Sequence, residues 1–260
     1  MGVAEAEIKS VGFLQLLSDD LRWQIVVSLA RGDRRVQELV ERLGRPMNLV
    51  SYHLAKLRRA RLVRERRSDA DSRDVYYSLD LDRLRELYVK AGEELHPGLT
   101  TLDVRRREAG GATRPRPPRV LFLCTENSAR SQMAEGILRH FSRGEVDVMS
   151  AGSRPTQVHP LAVSSLAEHG IDISHHYPKS LDEFRGERFD YVVTVCDRIK
   201  EVCPTFPGDP ERIHWSFADP AAVEGDEERQ YLAFKVTAKE LMTMIRYLLI
   251  MIERKQRDTA

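Results

Sequence analysis

The chain has 260 residues, enough for one or two domains, and its 42% apolar content supports ordinary globular cores. A net charge of +1 hides an asymmetry: residues 1–119 carry 24 Lys and Arg against 18 Asp and Glu, and residues 120–260 carry 17 against 22, so only the first part suits a polyanion. All three cysteines lie in the second part, which excludes a disulfide-framed secreted scaffold and implies a reducing, cytoplasmic setting, and the apolar run 241–252, interrupted by Arg246, is too short to span a membrane.

Over residues 10–31 the apolar positions Phe13, Leu14, Leu17, Leu21, Ile25, Val26 and Leu29 follow amphipathic helical spacing, with a break near Ser18 to Asp20. Residues 36–43 repeat the pattern until Gly44, Arg45 and Pro46 stop it, and another helix runs over about 47–60. Two short helices joined by a tight glycine-containing turn predict a helix-turn-helix. Its second helix carries Asn48, Ser51, Tyr52, His53, Lys56, Arg58 and Arg59 as DNA-contacting candidates. The β-prone runs 62–67 and 75–79 flank a polar tip and predict a hairpin wing bearing Arg66, Arg67 and Arg73. Between residues 34 and 73 stand 12 basic and five acidic residues, a surplus that suits phosphate contacts; the bland alternative is the solvated face of a small helical domain. In the next helix, 82–95, the stripe Leu81, Leu84, Leu87, Tyr88, Ala91 and Leu95 serves either a dimer contact or the domain's own core.

The words V-Q-E-L-V-E-R-L-G and V-S-Y-H-L-A-K-L-R-R-A-R-L-V resemble the winged-helix repressors of arsenical and metal resistance operons, over about residues 10–95. The resemblance implies a double-stranded DNA operator as partner and a homodimer joined through the first helix and the 82–95 helix. Arsenite-responsive repressors of this type hold the metalloid with thiolates in or near the DNA-binding domain, yet residues 1–123 contain no cysteine.

Pro97-Gly98, Gly110-Gly111 and a P-R-P-P word, with little apolar periodicity, mark a linker over 97–118, between a winged-helix domain at 1–96 and a second domain at 119–260. There, short β-prone runs (120–123, 146–151, 191–195, 212–215) alternate with helical segments (132–141, 160–169, 227–254). The expected fold is therefore a mostly α winged helix with a β-hairpin wing, followed by an α/β domain with a parallel sheet flanked by helices. No Cys/His cluster has structural-zinc spacing, and the expected metal set is none.

The informative stretch is R-V-L-F-L-C-T-E-N-S-A-R-S at 119–131: strand, loop, helix. Cys124 and Arg130 bracket a loop of Thr125, Glu126, Asn127, Ser128 and Ala129 with Ser131 beyond it, a spacing that lets backbone N–H groups and a guanidinium converge on one tetrahedral oxyanion. Such a cradle is expected to favour a nucleophilic thiolate at Cys124. A cysteine ending a buried strand is otherwise usually core filler.

Together with V-T-V-C-D (Cys196), E-V-C-P (Cys203) and F-A-D-P (Asp219), this stretch resembles the low-molecular-weight protein tyrosine phosphatase fold, and within it the thiol-coupled arsenate reductases, over 119–254. The resemblance implies that Cys124 attacks arsenate held by Arg130 and the loop, that Asp219 protonates the leaving oxygen, and that Cys196 and then Cys203 carry the disulfide outward. Arsenite leaves, no cofactor is tightly bound, and thioredoxin or a similar dithiol protein restores the enzyme. Asn127 and Ser131 are expected to shape the loop and bond the thiolate. Asn127, Glu135 and Ser150 match positions that bind potassium in some relatives, and His159, His169, His175 and His176 read as surface residues. A tyrosine phosphatase is the alternative, opposed by the extra cysteine pair and by Ala221 and Ala222, which offer no aromatic wall after Asp219-Pro220. A second alternative is a regulator whose C-terminal domain only senses an oxyanion or redox state.

Overall fold

Each predicted helix of the first part is bounded by residues with a physical reason to stop or start it. In the computed structural model, which describes residues 8–96 and 116–259, the 10–31 segment splits into α1 (Ser10–Leu17) and α2 (Asp20–Leu29), because the Asp19 carboxylate caps α2 by accepting the Arg22 N–H at 2.9 Å. Helix α3 (Val36–Leu43) ends at Gly44, whose left-handed φ of 61° a side chain would resist, and α4 (Met47–Arg59) follows directly. The wing is β2 (Val63–Arg67) against β3 (Val75–Leu79), and β3 also pairs antiparallel with a two-residue strand, β1 (Arg34–Arg35), which the sequence reading did not anticipate. Helix α5 (Leu81–Leu95) is capped by Asp80. Phe13, Ile25, Leu39, Val50, Leu54, Leu57, Leu62 and Leu87 form the core. From the α5 stripe, Leu87 and Ala91 face inward into the domain's own core, whereas Tyr88 and Leu95 are exposed.

The chain divides into two compact units, one built on residues 8–68 and 72–96 and one on 116–259. Of the expected linker, residues 97–115 lie outside the described residues, and 116–118 lead into the second unit as irregular chain.

That second unit is a four-stranded parallel sheet in the order β5-β4-β6-β7, made of β4 (Arg119–Cys124), β5 (Asp147–Gly152), β6 (Tyr191–Thr194) and β7 (Glu211–His214). Val120 to Leu123 are wholly buried, the uninterrupted apolar run that a central parallel strand requires. Helices α6 (Arg130–Ser142), α7 (Pro160–Ala167) and α9 (Glu227–Thr259) pack on one another, and α8 (Asp197–Val202) packs against β4 and β6. Phe122, Met133, Ile137, Phe234, Leu241 and Ile245 are core residues. Among the described residues no helix is long and apolar enough to cross a membrane, α9 included.

Candidate functional site

Strand β4 ends at Cys124 and α6 begins at Arg130, so the loop between them sits at the carboxyl edge of the sheet. Its backbone direction is enforced from outside. The carbonyls of Thr125, Glu126 and Ser128 accept the N–H groups of Arg154, Thr156 and His159 at 2.8–2.9 Å. A planar trans peptide then turns the following N–H the other way. For Asn127, held at a left-handed φ of 49° that asparagine tolerates, that N–H reaches Cys124 Sγ at 3.0 Å. Gly152 lets the loop pass: a Cβ there would lie 2.7 Å from the Thr125 carbonyl oxygen and 2.8 Å from the Asn127 nitrogen. No local signal in the sequence marks Gly152, because the crowding comes from a loop 25 residues earlier.

Cys124 is buried, and its Sγ lies 2.8 Å from the Ser131 hydroxyl. Burial pushes the thiol above its ordinary range, helped by neighbouring Cys196, while the Ser131 hydroxyl, Arg130 and the Asn127 N–H pull it down. The upward direction departs from the thiolate expected of the cradle. The reason is burial, which outweighs the groups that favour the thiolate; Arg130, one of those groups, also donates its guanidinium to the Asp219 carboxylate at 2.6 Å and to the Phe217 carbonyl at 3.1 Å. Its Nε is buried and has no hydrogen-bond partner among the described residues. A buried guanidinium donor of this kind, in a residue that shares a cleft with Cys124, which the Asn127 N–H reaches, suits hydrogen bonding to an oxyanion.

Cys124, Thr125, Arg130, Cys196 and Asp219 line one cleft. Glu126 is exposed at its rim, Ser128 is half-buried, and Ala129 is buried beneath it. Cys196 Sγ lies 3.4 Å from the Thr125 hydroxyl. The next residue, Asp197, is fully buried, accepts the Ser216 hydroxyl at 2.7 Å and faces His214 Nε2 at 3.2 Å, which anchors the start of α8. Cys203 is not brought to the cleft. It caps the far end of α8 and is half-buried, and burial raises its thiol. At a helical rise of about 1.5 Å per residue, Cys196 and Cys203 stand roughly 10 Å apart, beyond the ~7 Å that a disulfide spans. All three cysteines are free thiols.

Behind the loop, Asn127 Nδ2 donates to Ser131 at 2.9 Å and to Ser150 at 2.8 Å, and Ser150 donates to Glu135 at 2.6 Å. The potassium set inferred for these residues meets a competitor. Buried Lys179 places its ammonium 3.1 Å from Glu135 Oε2, and Arg139 takes Oε1 at 2.6 Å. With both carboxylate oxygens already on cations, and Asn127 Oδ1 filled by the Lys179 and Gln132 N–H groups, the donor set does not fit a further monovalent cation. His176, read as a surface residue, is half-buried between Gln132 Oε1 and Arg139, and burial lowers its pKa to about 4. His159 stacks on Phe234, while His169 and His175 are exposed.

In the first unit, Asn48, Ser51, Tyr52, Arg58 and Arg59 are exposed on α4, and Lys56 lies over the Tyr52 ring at 4.5 Å. Arg67 and Arg73 are exposed on the hairpin, and Arg66 is half-buried. Arg58 is paired with Glu65 at 2.6 Å. His53 departs from the expectation of a base contact. It shares the inward face of α4 with Val50, Leu54 and Leu57, is 7% exposed, and sits 3.5 Å from the Asp19 carboxylate with its pKa lowered by burial.

The two units thus define a class: a winged helix with a basic outer face, joined to an α/β domain whose loop gathers a cysteine, an arginine and an aspartate. The second matches the family model of low molecular weight phosphotyrosine protein phosphatases over residues 119–258, and the chain belongs to that family; residues 19–65 match the arsR family of bacterial regulatory proteins. The chain is 43% identical over 122 residues to an arsenate reductase of Halalkalibacterium halodurans, a stretch covering 47% of this chain and 88% of that protein. It is 39% identical over 122 residues to an arsenate reductase of Bacillus subtilis, with the same coverage of 47% and 88%. A solved structure described as an arsenate reductase in oxidized state aligns at 26% identity and a TM-score of 0.45, covering 52% of this chain and 98% of that one.

Proposed function

We propose that this chain reduces arsenate to arsenite through Cys124, Cys196 and Cys203, and that its winged-helix unit binds operator DNA as a homodimeric repressor of arsenic resistance. The observation that carries the enzymatic reading is the unpartnered Nε of Arg130, in a residue that lines one cleft with Cys124 and Cys196.

Cys124 Sγ, as thiolate, attacks arsenic while the loop amides and Arg130 hold the oxygens, and one oxygen leaves as water with its proton from Asp219. The Cys196 thiolate then attacks Cys124 Sγ. The S–As bond breaks and its electron pair stays on arsenic, giving arsenite and a Cys124–Cys196 disulfide. Cys203 attacks Cys196, releases Cys124 as thiolate and leaves a Cys196–Cys203 disulfide, which an external dithiol of the thioredoxin class reduces. Because Cys196 and Cys203 are held apart by α8, this exchange requires that helix to unwind.

The same cleft accepts phosphate, so phosphomonoester hydrolysis is the competing reading, and the family name favours it. Arsenate-dependent NADPH oxidation coupled through thioredoxin and its reductase distinguishes them. Steady turnover supports the reductase. Absence of turnover together with hydrolysis of an aryl phosphate overturns it in favour of the phosphatase, and absence of both leaves only the sensing role.

A further inference from the structure

Lys179 is 7% exposed, an unusual place for a lysine, and it lies behind the loop rather than in the cleft. Its Nζ reaches Glu135 Oε2 at 3.1 Å and the Tyr177 carbonyl at 3.2 Å, and sits 4.8 Å from the centre of the Tyr177 ring. Glu135 is itself buried, and the Ser150 hydrogen bond with the Lys179 and Arg139 charges holds its carboxyl below the ordinary range despite that burial. We propose that Lys179 is a positioning residue for the oxyanion loop, a built-in ammonium that occupies the place of an inorganic monovalent cation and sets the direction of the hydrogen bonds that end on Cys124.

The direction follows from donor and acceptor counting. A Glu135 carboxylate only accepts, so Ser150 spends its single hydroxyl proton on it at 2.6 Å and must accept from Asn127 Nδ2. Asn127 Oδ1 is occupied by the Lys179 N–H at 2.7 Å and by Gln132 Nε2 at 2.8 Å, which fixes the amide so that Nδ2 also faces Ser131. Ser131, accepting from Asn127, turns its own proton to Cys124 Sγ at 2.8 Å. A protonated Glu135 would be able to donate to Ser150 and reverse the series. Lys179 therefore acts twice: its ammonium keeps Glu135 an acceptor, and its backbone holds Asn127.

This inference rests on the oxyanion cradle of the proposed function, so the test uses inorganic phosphate as probe and needs no turnover. Wild-type full-length chain is titrated with phosphate against iodoacetamide alkylation of Cys124, in sodium, potassium and ammonium chloride. If phosphate does not protect the wild type, the cradle reading itself fails. With protection present, wild type is expected to behave alike in all three salts. Lys179→Ala is expected to bind phosphate about tenfold more weakly, the scale of losing a supporting shell, and to regain affinity in potassium or ammonium, which enter the vacated space. Lys179→Met, which fills that space without charge, is expected to show the loss but no rescue. Wild-type affinity that rises in potassium, or a folded Lys179→Met that matches wild type, overturns the proposal. Should both Lys179 variants fail to fold by circular dichroism, Glu135→Gln decides: its amide can donate to Ser150, so it must weaken phosphate binding comparably, and unchanged binding overturns the proposal.

Discussion

Arg130 and Asp219 face each other across the cleft at 2.6 Å, so the guanidinium of the loop's arginine is already paired. Arg130 is largely buried while Asp219 is partly open to solvent. On the proposed mechanism an entering oxyanion competes with Asp219 for the same guanidinium, and the displaced carboxylate serves as the acid. Asp219→Asn is expected to separate these two effects. Phosphate and arsenate should bind more tightly, because a negative charge is gone from the site, while turnover should fall by about 10²–10⁴, the usual worth of a positioned general acid. Weaker binding together with unchanged turnover would show that Asp219 only caps the turn at Pro220.

The order of thiol attack sets a second expectation. Cys124→Ser should abolish arsenate reduction, and Cys203→Ala should complete about one turnover and stop with Cys124 and Cys196 joined, since the escape thiol is missing. Peptide mass mapping after a single addition of arsenate reads the bond directly. Repeated turnover by Cys203→Ala would contradict the relay.

Half-buried His176 gives the second unit an acid-sensitive element. Its folded pKa of about 4 lies below the ordinary 6.5, so the unfolded chain binds this proton more readily than the folded one. The stability that neutral His176 contributes is complete above pH 6.5 and declines as the pH falls from there towards 4. Glu135, whose carboxyl is held below its ordinary range, keeps its contribution above that range and loses it as the pH falls through it. In calorimetry of the full chain, the transition that phosphate shifts should fall less steeply between pH 6.5 and 4 in His176→Gln than in wild type. Identical slopes would remove His176 from the account.

Burial divides α4 into two faces, and on the proposed reading the exposed one meets DNA. Substituting exposed Ser51 should change base preference, and substituting Arg67 on the wing should weaken all sequences alike and flatten the salt dependence. His53→Ala should instead lower stability, because that side chain packs inward beside Asp19. The absence of cysteine before residue 124 makes a sensing prediction as well. Arsenite is thiophilic, so a full-length chain with Cys124, Cys196 and Cys203 all changed to Ser should hold operator DNA with an affinity that arsenite does not alter. Arsenite-induced release of that cysteine-free chain would refute the idea.

The helices, the wing, the parallel strands and the C-x5-R loop were all readable in the chain, because each is encoded by local period, capping residues and turn chemistry. Residues 36–43 and 47–59 announce their helices through apolar spacing and Gly44, and 120–123 announce a buried strand by being wholly apolar. Folding in three dimensions decided matters that no local window contains. Rotation about the α4 axis turned His53 inward although its neighbours Ser51 and Tyr52 face out. The return of the chain at 176–180 delivered Lys179 and His176 to the back of a loop some 50 residues earlier, where a lysine ammonium meets Glu135. Arg130 was legible as a candidate oxyanion ligand, but its pairing with Asp219, 89 residues away, and the burial that raises the Cys124 thiol arise only in the packed structure. Electrostatics at a site is a property of everything packed around it, and sequence spacing reports only the nearest part.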